Sequence, residues 1–407
     1  MKKAVFKTAA LLLAAVMLLT AFAACGRRNA PEESTPVPTE QGAAAPTQEP
    51  DGTPTEEPTE EPTEEPTEEP TPEPTATPDP KQEPVAFVNP KFETIYRTII
   101  RNYDRPITRG QVLSTTSLHV GGMNLGDLSD LAMFENLKEL IVGTTDPIDI
   151  SPLKGLTKLE SLYAINVVDL SALAGLENLK TLYITLNEDT VGFEALSGLK
   201  SIEELNIDGY CLDDLAPVAG LTTLKKLRVR SETLADISAA EGLSDLEVLL
   251  LTGVFKDISA IAGMTKMSYL ILDCGVEDLT PLAGLTGINN LNISNAADKG
   301  NGIKDISPLS GLTKIATLYL PNCGISDISP LAGLTKITEL VLTRNEISDI
   351  SALANMQELV WLHVSENKID DISVLYGLKR LHGADLEGNL LTDEEIAAFN
   401  ETLPSLP

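Results

Sequence analysis

A unit of about 22 residues recurs from residue 118 onward and limits the possible folds more than any other feature. It is clearest at residues 327–345, DISPLAGLTKITELVLTRN, where Leu340 and Leu342 form an L-x-L pair. Successive pairs start 22, 22, 20, 23, 22, 22, 21, 21, 27, 22, 22 and 22 residues apart. One such unit has too few apolar residues for its own core, so neighbouring units must stack, which predicts a solenoid of about 13 coils. The pairs start at Leu118, Leu140, Leu162, Leu182, Leu205, Leu227, Leu249, Leu270, Leu291, Leu318, Leu340, Leu362 and Ala384.

Each unit predicts a short strand followed by a short helical turn. Alternate side chains of a strand point to opposite faces, so both L-x-L leucines point inward and the residue between them points outward. The stacked strands should form a parallel sheet on the concave face. On the convex face a serine at the N-cap and a proline at the first helical position, as in Ser329-Pro330, predict one 3-10 or helical turn. We expect that turn to end in the left-handed conformation at a column of glycines, with Asn355 in one unit. The column comprises Gly155, Gly175, Gly198, Gly220, Gly242, Gly263, Gly284, Gly311, Gly333 and Gly377.

These residues resemble the internalin-type leucine-rich repeat of bacterial surface proteins over roughly residues 85–407. The resemblance implies an α/β fold, a right-handed leucine-rich-repeat solenoid with helical N- and C-terminal caps. It also implies that an asparagine after the strand bonds the backbone of the turn. That asparagine is present at Asn187, Asn345, Asn367 and Asn389, with Cys323 in its place in one coil.

The two ends of the repeat region predict the caps. Residues 85–117 resemble the helical N-terminal cap of the same proteins, 118–389 form the repeats, and 390–407 form the C-terminal cap. In the C-terminal cap Thr392 is expected to cap a helix whose first turn, Asp393 to Glu395, is acidic. The apolar cap residues are Phe92, Ile95, Tyr96, Ile99 and Ile100 at the first end and Ile396, Ala397 and Phe399 at the other.

The N-terminus predicts export and lipidation. Lysines precede an apolar run at residues 9–20 that is too short for an ordinary membrane span. The run ends in FAACG at residues 22–26, which resembles the lipobox of bacterial lipoproteins. The resemblance implies a signal peptide at 1–24 and a diacylglyceryl group on Cys25. The alternative is an ordinary secretory signal cut at Ala24, with no role for Cys25.

Residues 25–84 predict a lipid-anchored, disordered stalk. They are rich in Pro, Thr and Glu and repeat TEEP over residues 55–70, so they have little to bury. Regular prolines and like charges favour an extended chain, which would reach on the order of 180 Å at ~3.1 Å per residue. The stalk is therefore interpreted as a spacer, with an untargeted linker as the alternative. Residues 295–302, inserted after one strand, predict a flexible loop on the rim or a tolerated surface insertion.

Charge and chemistry exclude several functions. A formal net charge of −30 disfavours binding to nucleic acid or to anionic lipid. Neither the three histidines, His119, His363 and His382, nor the cysteines have the spacing of a catalytic or metal site. We therefore expect no enzyme activity, no cofactor and no metal. A column of aspartates before the helical turns suggests either hydrogen bonding at the turn or a calcium ladder.

The outward strand positions are the predicted binding surface. Four of the eight tyrosines and the only tryptophan fall on them, and such side chains are typical binding anchors, although β-propensity alone also favours tyrosine in strands. Lys226, Arg228 and Arg230 form a basic island that indicates an acidic group on the ligand. The predicted ligand-binding residues are Tyr163, Tyr183, Lys226, Arg228, Arg230, Tyr269, Tyr319, Trp361 and His363.

The sequence thus predicts an extracytoplasmic lipoprotein, anchored to the outer face of the bacterial cell membrane and exposed on the cell surface. Its repeat domain is expected to bind a protein or glycan for adhesion or recognition. The alternative is a structural or assembly factor of the cell envelope that binds the cell's own wall components. We expect a monomer that contacts the membrane only through its lipid.

Overall fold

The computed structural model describes residues 79–209, 211–294 and 302–404. The predicted signal peptide, Cys25, nearly all of the stalk and residues 295–301 of the insertion lie outside these ranges. The predictions made for them remain predictions.

Within these ranges, thirteen parallel strands form one sheet in which each strand pairs with its neighbours in chain order. The solenoid predicted from the repeat is therefore confirmed. The strands are β1 (Ser117–His119), β2 (Glu139–Ile148), β3 (Ser161–Asp169), β4 (Thr181–Val191), β5 (Glu204–Asp208), β6 (Lys226–Arg230), β7 (Val248–Thr252), β8 (Tyr269–Asp273), β9 (Asn290–Ser294), β10 (Thr317–Tyr319), β11 (Glu339–Val341), β12 (Trp361–His363) and β13 (Gly383–Asp385).

The core is built from aligned leucine columns. Leu340 lies opposite Leu318 on one side and Leu362 on the other, and all three are fully buried. A fully buried leucine stabilises a fold by roughly 1.5–3 kcal/mol. Each coil buries its leucines against the coils on either side, so the sheet and the core extend together along the solenoid.

Short 3-10 helices connect the strands on the side away from the sheet. The serine expected at the N-cap is instead the first helical residue, and the preceding Ile or Leu makes no side-chain cap. These helices span Ser129–Met133, Ser151–Leu153, Ser171–Gly175, Phe193–Gly198, Ala216–Val218, Ser238–Ala240, Ser259–Ile261, Thr280–Leu282, Ser307–Leu309, Ser329–Gly333, Ser351–Asn355 and Ser373–Gly377.

The aspartate column bonds the first amide of ten of these helices. Asp257 accepts a hydrogen bond from the Ser259 amide at 2.8 Å, and this bond lowers the pKa of Asp257. The interpretation of the column as turn hydrogen bonding is confirmed, because all ten aspartates accept the amide two residues later. They are Asp149, Asp169, Asp214, Asp236, Asp257, Asp278, Asp305, Asp327, Asp349 and Asp371.

The left-handed conformation expected along the glycine column is wrong for most of it. Only Gly155, Gly220 and Gly242 of the column have positive φ, and Asn355 does not. Gly220 follows Ala219 (φ −55°, ψ 130°) in a turn closed by Leu221 N–H donating to Val218 O, which is the geometry of a type II turn. Gly263 instead follows Ala262 (φ −57°, ψ −27°), as in a type I turn. The same site thus takes two turn types, and only type II needs glycine.

The asparagine ladder is present at the C-terminal end of the sheet. Asn345 Oδ1 accepts the amides of Cys323 and Ile325 at 3.0 Å, and its Nδ2 donates to Leu320 O and Leu342 O at 2.9 and 2.8 Å. Asn367 and Asn389 make equivalent bonds between coils.

The ladder role expected for Asn187 is wrong. Its side chain bonds locally, with Oδ1 accepting the Asp189 amide at 2.9 Å. The chain does not turn inward after the strand here, and β2 to β4 are 9 to 11 residues long instead of short triplets. Their register shifts after Gly143 and Ala164, which accommodates the extra length.

Helices lie at the N-terminal end of the sheet. They are α1 (Pro90–Ile100) and α2 (Arg109–Ser114), preceded by a 3-10 helix at Pro80–Gln82. Phe92 and Tyr96 are buried and meet Phe134 edge-on, with ring centroids 5.8 and 5.0 Å apart. Ile99, expected to pack inward, is exposed.

Helix α3 (Asp393–Asn400) lies at the other end. Thr392 caps it and forms a capping box with Glu395. Phe399 is buried and meets Tyr376 edge-on, whereas Ala397, expected to pack inward, is exposed.

The two turn types give opposite predictions for the same substitution. Added Cβ atoms at Gly220 and Gly263 would meet nothing within 4 Å, so only the backbone differs. Gly220→Ala places a side chain at φ +79° and should destabilise the fold by roughly 1–2 kcal/mol. Gly263→Ala should stabilise the fold by about 0.4–1 kcal/mol, because alanine lowers the conformational entropy of the unfolded chain. Urea denaturation midpoints measure both, and equal effects of the two substitutions would refute the turn assignment.

Candidate functional site

The outward side chains form two columns along the whole sheet and a third column across β4 to β9, and we name this surface the sheet face. It is the surface expected from the sequence to be the concave binding face. All nine predicted ligand-binding residues lie on the sheet face, in strands β3, β4, β6, β8, β10 and β12. The middle column is His119, Ile141, Tyr163, Tyr183, Asn206, Arg228, Leu250, Ile271, Asn292, Tyr319, Val341, His363 and Asp385.

Two tyrosines form a stacked pair in the N-terminal half of the sheet face. The Tyr163 and Tyr183 rings are 4.5 Å apart at their centroids and inclined by only 8°. The Tyr183 hydroxyl donates to Glu204, and burial together with this carboxylate raises the pKa of Tyr183. Tyr183 therefore remains a neutral hydrogen-bond donor, with its hydroxyl committed to Glu204 and one ring face covered by Tyr163.

The basic island of the sheet face is mostly paired. Lys226 lies 3.4 Å from Glu204, and Arg230 lies 3.7 Å from Asp208. Arg228, between Asn206 and Leu250 in the middle column, has no carboxylate within 4.0 Å in the described part of the chain. The predicted island of three available cations thus reduces to one unpaired guanidinium.

An apolar stretch follows Arg228 along the sheet. Leu250 and Ile271 continue the middle column and are half-buried. Tyr269, beside them in the neighbouring column, leaves 36% of its surface exposed. The stretch therefore offers partly exposed apolar side chains next to a charged group.

Further along, Tyr319 and Trp361 complete the aromatic set. The Tyr319 hydroxyl donates to Glu339, and burial and that carboxylate raise the Tyr319 pKa. Trp361 is 37% exposed, and its ring lies over Gly383, where a Cβ atom would come within 2.5 Å of the ring. His363 is half-buried between Val341 and Asp385.

Sequence reasoning missed the acidic partners on the sheet face. Glu204 and Asp208 occupy the same register positions as Lys226 and Arg230, one coil earlier. Aligning the flanking columns as strictly as the middle one would have revealed these pairs. Cys25, the predicted lipidation site, lies outside the described residues.

The Cys, His, Asp and Glu side chains are dispersed over the described residues. Within them no three His, Cys, Asp or Glu side chains converge in the arrangement that a metal ion needs. The Cys274 thiol is buried, which raises its pKa to about 12 and makes it a poor nucleophile. Across residues 79–404, apart from the gaps stated above, no helix is long and apolar enough to cross a membrane.

Comparison with known proteins supports the repeat assignment. The family of leucine-rich repeats (two copies) matches residues 313–355, and no curated protein matches the sequence. The solved structure of an internalin, InlF of Listeria monocytogenes, is similar over 78% of this chain and 95% of its own, with a TM-score of 0.70 and 29% identity.

Two more distant structures share the fold alone. A leucine-rich-repeat protein of Leptospira interrogans is similar over 73% of this chain and 79% of its own, with a TM-score of 0.61 and 19% identity. The plant peptide hormone receptor RGFR1, in complex with RGF2, is similar over 70% of this chain and 49% of its own, with a TM-score of 0.55 and 16% identity.

Proposed function

We propose that the described residues form an internalin-type leucine-rich-repeat domain and that the chain is a recognition protein whose sheet face binds a protein or glycan outside the cell; the matched repeat family and the similarity to InlF support the first part. The observation that carries the proposal is Arg228, the unpaired cation beside the apolar stretch of Leu250 and Ile271. A protein partner receives additional support from the plant receptor of the same fold, whose complex contains RGF2.

The chemistry of the sheet face suits binding rather than catalysis. Paired charges such as Lys226 and Glu204 are exposed and add little to stability, typically 0–1 kcal/mol, but they leave Arg228 as the charge open to a ligand. Arginine and aromatic side chains beside apolar surface are the residues that most often dominate binding energy. Arg228, Tyr269 and Trp361 are therefore the proposed anchors.

The test is a binding screen of the mature chain against host proteins, glycans and purified wall fragments. For the partner found, Arg228→Gln should weaken binding about tenfold or more, a loss of ~1.4 kcal/mol or more. The control is Lys154→Gln, which removes one exposed charge beside the Ser151–Leu153 helix and should change affinity less than about twofold. If Arg228→Gln and Trp361→Ala both leave affinity unchanged, the sheet face is not the binding surface.

The same screen separates the two classes of partner. Binding to host proteins or foreign glycans supports adhesion or recognition. Binding confined to the cell's own wall fragments would instead support a structural or assembly factor of the envelope.

We further propose that Cys25 carries a diacylglyceryl anchor and that residues 25–84 form the spacer between membrane and solenoid. The support is the residue pattern FAACG at 22–26 and the TEEP repeats that follow it. Two acyl chains are about what stable anchoring requires, since each buried CH₂ contributes ~0.8 kcal/mol.

Labelled fatty acid tests the anchor. Cells expressing the full chain should incorporate label into it, and Cys25→Ala should abolish the labelling and release the protein from the membrane. Cys211→Ala, which removes a half-buried thiol of the solenoid, is the matched control and should retain the label. Equal labelling of Cys25→Ala and wild type would reject lipidation at this residue.

A further inference from the structure

The N-terminal end of the solenoid is basic in a strongly acidic protein. Residues 79–117 contain six basic and four acidic side chains, whereas the whole chain has a formal net charge of −30. Among the six, Arg97 pairs with Glu93 at 2.7 Å and Arg109 pairs with Glu135 at 3.4 Å. The excess positive charge at this end therefore lies on other side chains.

Three of those cations line one open groove of about 750 Å³, which we name the cap groove. Lys81, Arg101 and Arg105 are all exposed, and none has a carboxylate within 4.0 Å in the described chain. Asp104 is the single acidic residue of the lining. The cap groove thus carries a net charge of about +2 from these side chains at neutral pH.

Neutral donors also line the cap groove. Gln82, Asn102 and Gln111 supply carboxamides, and Tyr103 supplies a hydroxyl on a side chain that is 65% exposed. The groove therefore combines charge with several hydrogen-bond donors, which is what an oxyanion with many acceptor sites requires.

The backbone beneath the cations is held in place by Arg97. Two bonds to Glu93, at 2.7 and 3.0 Å, fix the Arg97 guanidinium, which then donates to Asn102 O at 3.2 Å and Arg105 O at 2.8 Å. The Arg105 amide donates to Asn102 Oδ1 at 3.2 Å. Arg101 ends helix α1 in the left-handed conformation, at φ 54°. The loop that carries Arg101 and Arg105 is therefore ordered before any ligand arrives.

We propose that the cap groove binds a ligand bearing a phosphate or pyrophosphate group. A phosphate monoester carries about −1.5 to −2 charges at pH 7, which matches the groove, whereas a single carboxylate would neutralise only half of it. The guanidinium groups of Arg101 and Arg105 present paired N–H donors suited to phosphate oxygens. This site lies on the helices that precede β1, apart from the anchors Arg228 and Trp361 of the proposed sheet-face function, so either proposal can fail without the other.

Titration of the mature chain with pyrophosphate, followed by calorimetry and ³¹P NMR at low ionic strength, tests the site. Wild type should bind one pyrophosphate saturably, and Arg101→Gln/Arg105→Gln should weaken binding tenfold or more. The matched control Lys154→Gln/Lys336→Gln removes two exposed cations that also have no described carboxylate within 4.0 Å and should stay within twofold of wild type. Malonate, a dianionic dicarboxylate, should bind at least tenfold more weakly than pyrophosphate.

The outcomes decide between alternatives. If both double variants lose pyrophosphate affinity equally, binding follows the net charge of the protein and not the cap groove, and the proposed site is wrong. Equal binding of malonate and pyrophosphate would overturn the phosphate assignment, and absence of saturable binding to wild type at millimolar pyrophosphate would overturn the proposal as a whole. Arg101→Lys/Arg105→Lys keeps the charge and should retain part of the affinity, which separates lost binding from lost folding. Circular dichroism of each variant checks the fold directly.

Discussion

Each coil of this solenoid buries its leucines against the coils on either side of it, and the sheet, its register and the sheet face depend on that stacking. A single unit of about 22 residues cannot form a core, so the sheet register and the leucine columns must extend together. Leu340 between Leu318 and Leu362 shows the arrangement that recurs along the sheet. Parallel strands then space the outward side chains at about 4.8 Å, which fixes the sheet face as a regular array.

The same register decides where charges meet. Most ion pairs of the described chain join residues 20 to 22 positions apart, which is one coil, as in Lys225 with Glu203 and Lys368 with Glu346. Such exposed pairs contribute little to stability, but they remove charges from the surface that a ligand meets. Arg228 forms no ion pair within the described chain, because its register neighbours, Asn206 and Leu250, carry no charge.

The periodic part of the structure was predictable from the sequence, because a repeat of fixed length determines both the strand register and the outward columns. The turn types were not predictable from the sequence. Gly220 and Gly263 occupy equivalent positions and both follow an alanine, yet the ψ angle of that alanine differs. Asn187 matched the ladder pattern, yet its side chain accepts the Asp189 amide within β4, because that strand continues to Val191. The pairing of Lys226 and Arg230 required aligning a second column. The cap groove lay beyond sequence reasoning, because it depends on how Arg97 holds a loop outside the repeat.

The claim that coils are held by contacts made between neighbours is tested most directly by amide hydrogen exchange on Asn345→Ala. Asn345 Oδ1 accepts the amides of Cys323 and Ile325, both in the preceding coil. The account predicts that these two amides lose protection while amides of distant strands such as β5 keep theirs. It also predicts that Asn187→Ala changes exchange only around Asp189 in β4. Unchanged protection at Cys323 and Ile325, or a uniform loss along the whole solenoid, would contradict it.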